Sequence, residues 1–203
     1  MCMCMFKSFF GFIILSLGLI SSCGGKKVAR VGVEEQIDLS GNWNDTDSRL
    51  VAEEMIRDAL SRPWLEEFKA SKNTKPRVIV GTVRNRSHEH INTQTFVKDL
   101  ERELTNSGRV VFVATKEQRA ELREEREEQQ KHASIETAKS FGKEYGADFM
   151  IQGQINTIID QSEGTQLKYY QVELELINIE TNEKVWIGQK KIKKVVERSS
   201  YSW

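Results

Sequence analysis

The sequence is poor in proline and glycine and has no excess of charge of either sign. Its 2 prolines and 13 glycines exclude a collagen-like or proline-rich chain. Lys and Arg together number 30 and so do Asp and Glu, so the chain lacks the positive excess on which general nucleic-acid binders depend. Hydrophobic residues make up 38% of the 203 residues, which is enough for the core of one domain and argues against wholesale disorder.

Cysteine is also scarce, and its distribution is informative. The three cysteines, Cys2, Cys4 and Cys23, all lie near the amino terminus. If the chain is cleaved before Cys23, the remaining protein holds a single cysteine. That protein can form no internal disulfide and no zinc–thiolate cluster, and the lipid attachment predicted below leaves it no thiolate nucleophile.

The amino terminus carries the signals of an exported lipoprotein. Lys7 precedes an apolar run, Phe9 to Ile20, which is too short for a membrane span of about 20 residues but fits a secretory signal. The following Ile20-Ser21-Ser22-Cys23-Gly24 resembles the bacterial lipobox. We therefore expect a signal peptide over residues 1–22 and an acyl chain such as palmitate on Cys23. The alternative is an ordinary signal peptide with a chance cysteine. Gly24, in place of aspartate, favours an outer-membrane anchor that faces the periplasm.

The rest of the chain is predicted to form a flexible tether over residues 23–44 and one globular domain over residues 45–203. Apolar residues recur at helical spacing or alternate with polar ones. The pattern predicts α/β (α+β) architecture: a single sheet of about five strands, ending in an antiparallel three-strand meander, flanked by about four helices. The predicted elements are a helix from Leu50 interrupted at Pro63, strands Arg77–Val83 and Arg109–Ala114, helices Thr93–Asn106, Thr115–Gln130 and Ile135–Tyr145, and three strands beginning near Phe149, Tyr170 and Trp186.

No constellation of residues in the sequence indicates catalysis. His88-Glu89-His90 lacks the i, i+4 histidine spacing and the third ligand of a zinc site. Asp45-Thr46-Asp47 lacks the glycine and glutamate of a calcium loop, and helix capping explains it better. Phosphate-binding loops and nucleophile motifs are absent. We therefore predict a protein that is not an enzyme and has no metal, cofactor or small-molecule substrate.

Three polar segments are candidates for binding. Lys116–Lys131 alternates in sign and predicts a solvated helix or a charged docking face. Lys190, Lys191, Lys193 and Lys194 predict a protected edge strand or a patch for an anionic polymer or acidic partner. Arg84-Asn85-Arg86-Ser87 follows a predicted buried strand as a loop, either an ordinary polar loop or a recognition loop. We nominate Arg84, Asn85, Arg86 and Glu89 as partner-binding residues on this loop position alone.

Four segments resemble one family. Ser40–Ser48 (SGNWNDTDS), Arg77–Arg86 (RVIVGTVRNR), Tyr145–Gly153 (YGADFMIQG) and Asn182–Gly188 (NEKVWIG) are similar to LpoB proteins, lipoprotein activators of penicillin-binding proteins. The resemblance implies a fold like the N-terminal domain of TolB. It also implies an outer-membrane lipoprotein that docks on the ectodomain of a class A penicillin-binding protein and regulates peptidoglycan synthesis, and with it cell-wall biogenesis and cell shape. The alternative function is an accessory lipoprotein of an envelope assembly or secretion complex.

Overall fold

A computed structural model describes residues 28–32, 35–133, 144 and 146–197. The chain divides into two units, Met1–Glu35 and Gln36–Trp203. In the first unit the described residues include one turn, in which the Glu35 N–H donates to the Gly32 carbonyl at 3.1 Å. No helix within the described ranges has the length and apolar character needed to cross a bilayer. The predicted signal peptide and Cys23 lie outside the described residues.

The second unit is an α+β domain built on one five-stranded mixed sheet. The strand order is β2-β1-β3-β4-β5; β1 is parallel to β2 and β3, whereas β3, β4 and β5 form an antiparallel meander. The predicted single sheet and its closing meander are therefore confirmed. The described elements are α1 (Asp45–Ser61), α2 (Trp64–Lys72), β1 (Arg77–Arg86), α3 (Thr93–Asn106), β2 (Val111–Phe112), α4 (Lys116–His132), β3 (Phe149–Ser162), β4 (Thr165–Asn178) and β5 (Lys184–Glu197).

The predicted interruption at Pro63 is confirmed as a break: this residue, which has no backbone N–H, separates α1 from α2. The first two strands differ from their predicted bounds. The second strand has only two residues, because the chain soon turns at Thr115 to begin α4 and cannot follow β1 further. The first strand is longer than predicted and continues through Arg86 because it pairs with β3 along that length. The predicted helix Ile135–Tyr145 lies outside the described residues except at Glu144.

The core lies between the sheet and the helices α1 and α3. Alternate residues of β4 are buried on this side, as the period-two pattern predicts. Those residues are Tyr170, Val172, Leu174 and Leu176. Helix α1 contributes Val51 and Met55, among others, to the same core. The opposite face of the sheet carries mainly polar side chains.

A β-bulge in β1 decides which of its side chains enter the core. Val80 pairs with Ile151 but Val83 pairs with Gly153, so β1 has one extra residue between them. Gly81 occupies the bulge, where an added Cβ would lie 2.8 Å from the Met150 Sδ. The extra residue shifts the alternation by one position. Val83 is therefore buried, and the side chains that follow it at even-numbered positions lie on the other face.

Candidate functional site

The nominated segment Arg84-Asn85-Arg86 lies in β1 and not in a loop, which corrects the predicted placement. These residues pair with Gln154, Ile155 and Asn156 of β3. Because of the bulge, the two arginines lie on the sheet face away from α1 and α3. Both are exposed, and among the described residues neither guanidinium group has a hydrogen-bond or ion-pair partner.

The other two nominated residues, Asn85 and Glu89, are engaged in hydrogen bonds within the domain. The Asn85 side-chain amide donates to the Glu89 carbonyl at 2.7 Å, and the Asn85 Oδ1 accepts from the Ser87 N–H at 2.9 Å. These bonds form a tight turn at the end of β1, which we call the β1 turn (residues 85–89). Asn85 therefore shapes the turn.

The Glu89 carboxylate is 14% exposed and has three donors. Its Oε1 accepts from the Lys168 ammonium at 2.9 Å and from the Tyr170 hydroxyl at 2.7 Å, and its Oε2 accepts from the Trp43 N–H at 3.1 Å. Burial alone would raise the pKa of Glu89, but the bonds from Lys168 and Tyr170 outweigh it and lower this pKa below its ordinary value. Burial, together with the hydrogen bond to Glu89, raises the pKa of Tyr170 above its ordinary value. Glu89 is thus an ionised, largely buried residue whose carboxylate already accepts hydrogen bonds from three donors within the domain.

We call the face of the sheet opposite α1 and α3 the docking face; it carries Arg84, Arg86 and the residues that pair beside them. On this face, residues that are partners on neighbouring strands form rows across the sheet. The first row is Arg84, Gln154, Glu173 and Gln189; the second is Arg86, Asn156, Gln171 and Lys191; and the third is Ile158, Tyr169 and Lys193.

One acid on this face is satisfied by its amide neighbours. The Glu173 carboxylate accepts from Gln154 at 3.0 Å, from Gln189 at 3.3 Å and also from Gln171. The bonds from Gln154 and Gln171 lower the pKa of Glu173. A cavity of about 150 Å³ lies beside Arg84 and is lined by this glutamate.

Four exposed cations on this face lack acidic partners. Within the described part of the chain, Arg84, Arg86, Lys191 and Lys193 form no ion pair, although the Lys193 ammonium lies 5.9 Å from the centre of the Tyr169 ring. Exposed aliphatic side chains, Ile158 and Val195, border them. The arrangement of free cations beside apolar side chains is suited to an acidic protein surface.

The four lysines lie on an edge strand, as predicted, but they differ in exposure and in their partners. Strand β5 is an edge of the sheet. Lys191 and Lys193 are exposed, whereas Lys190 pairs with Glu54 and Lys194 is buried. Lys194 therefore cannot belong to a surface patch.

Residues Gln36–Asn44, which we call the strap, pack on the domain although the sequence predicts them as part of the tether. The Asp38 carboxylate accepts from Lys194 at 2.7 Å, and the Asn42 Oδ1 accepts from Lys168. The Trp43 ring contacts the Phe96 and Tyr170 rings at centroid distances of 6.0 and 5.8 Å. The globular domain thus begins near Gln36 and not at Asp45.

Two buried lysines hold the strap. Lys168 and Lys194 are register partners on β4 and β5, and both lie on the helix-covered side. Lys194 is 2.6 Å from Asp47 and 2.7 Å from Asp38. Burial would lower the pKa of Lys194, but the bonds to Asp38 and Asp47 raise it above its ordinary value. The signal for this pair was in the sequence: both lysines fall in phase with the apolar positions of their strands.

The histidine segment lies at the same turn. The His88 Nδ1 is 2.8 Å from the Thr157 Oγ1, and the His88 N–H donates to the same oxygen at 3.1 Å. Over the described residues, no group of three or more His, Cys, Asp or Glu side chains is placed to hold a metal ion. His88 therefore serves to tie the β1 turn to β3.

A family model described as "Peptidoglycan-synthase activator LpoB" matches residues 47–192. The chain belongs to the LpoB family. This match runs from the first turn of α1 through most of β5 and so includes Arg84, Arg86 and the β1 turn. A comparison with curated proteins finds no match.

The solved structures similar to this chain include two of LpoB and one of a lipoprotein from Neisseria meningitidis. The LpoB C-terminal domain from Salmonella enterica has 13% identity and a TM-score of 0.44, and the match covers 73% of this chain and 99% of that one. The NMR structure of LpoB from E. coli has 14% identity and a TM-score of 0.41, with 95% and 89% covered. Lipoprotein GNA1162 from Neisseria meningitidis has 13% identity and a TM-score of 0.39, with 63% and 88% covered. The family assignment rests on the family model and not on these likenesses.

Proposed function

We propose that this chain is a non-catalytic envelope lipoprotein that binds the ectodomain of a class A penicillin-binding protein and activates it. Membership of the LpoB family supports a regulator of peptidoglycan synthases. The lipobox-like segment ending at Cys23 supports attachment to the outer membrane through a lipid, with the domain in the periplasm.

The observation that carries the docking proposal is the set of free cations on the docking face. Arg84 and Arg86 are held at the end of a paired strand, so their backbone positions are fixed before a partner arrives. Arginines on a rigid scaffold lose less entropy on binding and are frequent hot spots of interfaces. Activation then requires that the domain bind the active conformation of the synthase more tightly than the inactive one.

The strap shortens the reach of the proposed anchor. Because the domain begins near Gln36, only residues 23–35 remain between the lipid and the domain. At about 3.3–3.6 Å per residue they extend to about 45 Å at most, and as a coil their mean reach is about 20 Å. The synthase ectodomain is therefore expected to meet the domain close to the membrane that holds the anchor.

A binding experiment with matched variants tests the docking face. The full-length chain is titrated with the ectodomain of each class A penicillin-binding protein of the same organism. We expect Arg84→Ala/Arg86→Ala to weaken binding about tenfold or more, since each hot-spot arginine contributes about 1 kcal/mol or more. The control, Arg57→Ala/Lys72→Ala, removes two exposed cations from α1 and α2 and should bind like wild type. Equal weakening by both pairs would contradict the assignment of the docking face.

A further inference from the structure

A short path of contacts joins the strap to the two arginines of the docking face. The Trp43 N–H of the strap donates to the Glu89 carboxylate, and the Glu89 carbonyl accepts from the Asn85 side chain. Asn85 lies between Arg84 and Arg86 in β1. One residue of the strap and two residues of the β1 turn are therefore enough to connect the amino-terminal segment with the docking strand.

Glu89 is the point where three parts of the domain meet. Its partners come from the strap (Trp43) and from β4 (Lys168 and Tyr170), while its own backbone belongs to the β1 turn. Lys168 also donates to Asn42 of the strap. Lys168 is therefore a buried ammonium with two acceptors, Asn42 and Glu89, and if it loses one it depends more on the other. A change in the strap that removes the Asn42 acceptor thus alters the interaction of Lys168 with Glu89.

The first part of the strap is held by polar contacts and buries little apolar surface. Ile37 is 36% exposed and Leu39 is 92% exposed. The bonds that join this part to β4 and β5 run from the two buried lysines to Asp38 and Asn42, and from the Tyr170 hydroxyl to the Gly41 carbonyl at 3.1 Å. Segments with few buried apolar contacts open at a lower free energy than the core, so this part can detach while β4 remains folded.

We propose that Glu89 is a positioning residue through which the strap sets the docking strength of Arg84 and Arg86. With the strap bound, the Glu89 carboxylate is fixed, the β1 turn is closed, and the two arginines keep one arrangement. When a pull on the amino-terminal segment detaches the strap, the turn loosens and docking weakens. The link to docking rests on the proposed function, whereas the link from the strap to the β1 turn is a property of this chain alone.

Hydrogen exchange followed by mass spectrometry on the full-length chain tests the link within the chain. In Asn42→Ala the strap loses its bond to Lys168. We expect amide exchange to rise about tenfold in residues 38–43 and also in residues 84–89, while residues 172–176 in β4 keep their protection. Protection of β4 shows that the variant is folded. Exchange that rises in the strap alone would overturn the proposal.

Two further variants separate coupling from general loosening. Asn42→Asp keeps an oxygen acceptor for Lys168 and should restore the wild-type exchange of residues 84–89. Glu54→Ala removes the α1 partner of Lys190, a β5 residue that does not contact the strap through this pair. This variant should leave the exchange of residues 38–43 and 84–89 unchanged. A rise at residues 84–89 in Glu54→Ala would show that the turn responds to any lost ion pair, which would also overturn the proposal.

Binding to the class A ectodomain tests the second link. Asn42→Ala leaves the docking face intact, and we expect it to weaken binding several-fold with the increased exchange at residues 84–89. Unchanged binding despite that increase would overturn the role in docking. If the wild-type chain binds no class A synthase, the proposed function fails, while the exchange result still decides whether the strap controls the β1 turn.

Discussion

At the scale of single residues, the interactions that matter most join positions far apart in the sequence. Glu89 meets Trp43, Lys168 and Tyr170, and Lys194 meets Asp47. Local pattern correctly placed Asp47 in the first turn of α1, where its carboxylate accepts from the Asn44 N–H at 3.0 Å. It could not place Glu89, because a polar residue just after a strand has the same local pattern whether it is exposed or buried.

Gly153 is a residue whose replacement should be costly. A Cβ at this position would overlap the Glu173 carbonyl oxygen and the Leu174 side chain on the neighbouring strand. We expect Gly153→Ala to lower the free energy of unfolding by about 1–3 kcal/mol, measured by urea unfolding. Gly146→Ala is the control, since nothing lies within 4 Å of a Cβ there. Equal free energies of unfolding for the two variants would contradict the close approach.

The ionised state of Glu89 predicts a specific pH dependence. Its pKa is lower in the folded protein than the ordinary value of 4.5, so its stabilisation is complete above that value and is lost as the pH falls through the folded pKa. Glu89→Gln lacks this contribution. We expect the difference in free energy of unfolding between wild type and Glu89→Gln to be constant from about pH 8 to 6 and to shrink below about pH 4.5.

The raised pKa of Lys194 does not alter this expectation. Its contribution is present below the ordinary value of 10.5 and is lost only as the pH rises through the folded pKa. Lys194 is common to both proteins compared, as is Asp38. A difference between wild type and Glu89→Gln that stayed constant down to pH 3 would mean that the Glu89 carboxylate is not held ionised by the domain.

At the scale of elements, two helices with the same capping motif differ in what they support. Asn44 and Asp47 form a capping box at the start of α1, and Thr115 and Gln118 form one at the start of α4. Helix α1 packs on the core, whereas none of the residues in α4 is buried. Helical spacing of apolar residues predicted the first element, and the alternating charges of Lys116–Lys131 predicted the second as a solvated helix or a charged docking face.

The two caps should therefore differ in their effect on the whole domain. We expect Asn44→Ala to lower the free energy of unfolding by about 1 kcal/mol, because α1 is part of the cooperative core. Thr115→Ala should reduce helix content by circular dichroism and change the free energy of unfolding by less than about 0.5 kcal/mol. If Thr115→Ala destabilised the domain as much as Asn44→Ala, α4 would have to be part of the core.

Helix α4 is linked to Glu144 by exposed ion pairs. The Glu144 carboxylate is 2.8 Å from Arg123 and 2.7 Å from Arg126. These arginines lower the pKa of Glu144 to about 2. Because all three side chains are at least a quarter exposed, solvent weakens the pairs and they contribute little to the free energy of unfolding.

At the scale of the whole molecule, periodicity predicted the sheet, its antiparallel meander and the helices, since apolar spacing alone encodes which residues face a core. It did not predict the bulge at Gly81, which turns Arg84 and Arg86 onto the docking face. It also assigned the strap to the tether, because residues 36–44 carry few apolar side chains and are held by polar contacts to Lys168 and Lys194. The bulge and the packing of the strap, which local pattern did not predict, both lie in the parts of the domain that form the candidate site.

The rate of glycan-chain polymerisation by a class A penicillin-binding protein of the same organism tests the central claim most directly. It is measured with and without the full-length chain, and with Arg84→Ala/Arg86→Ala. We expect the wild-type chain to raise the rate and the double variant to raise it much less, with an unchanged free energy of unfolding. If no class A synthase responds to the wild-type chain, it is not such an activator, and an envelope assembly or secretion complex becomes the leading alternative.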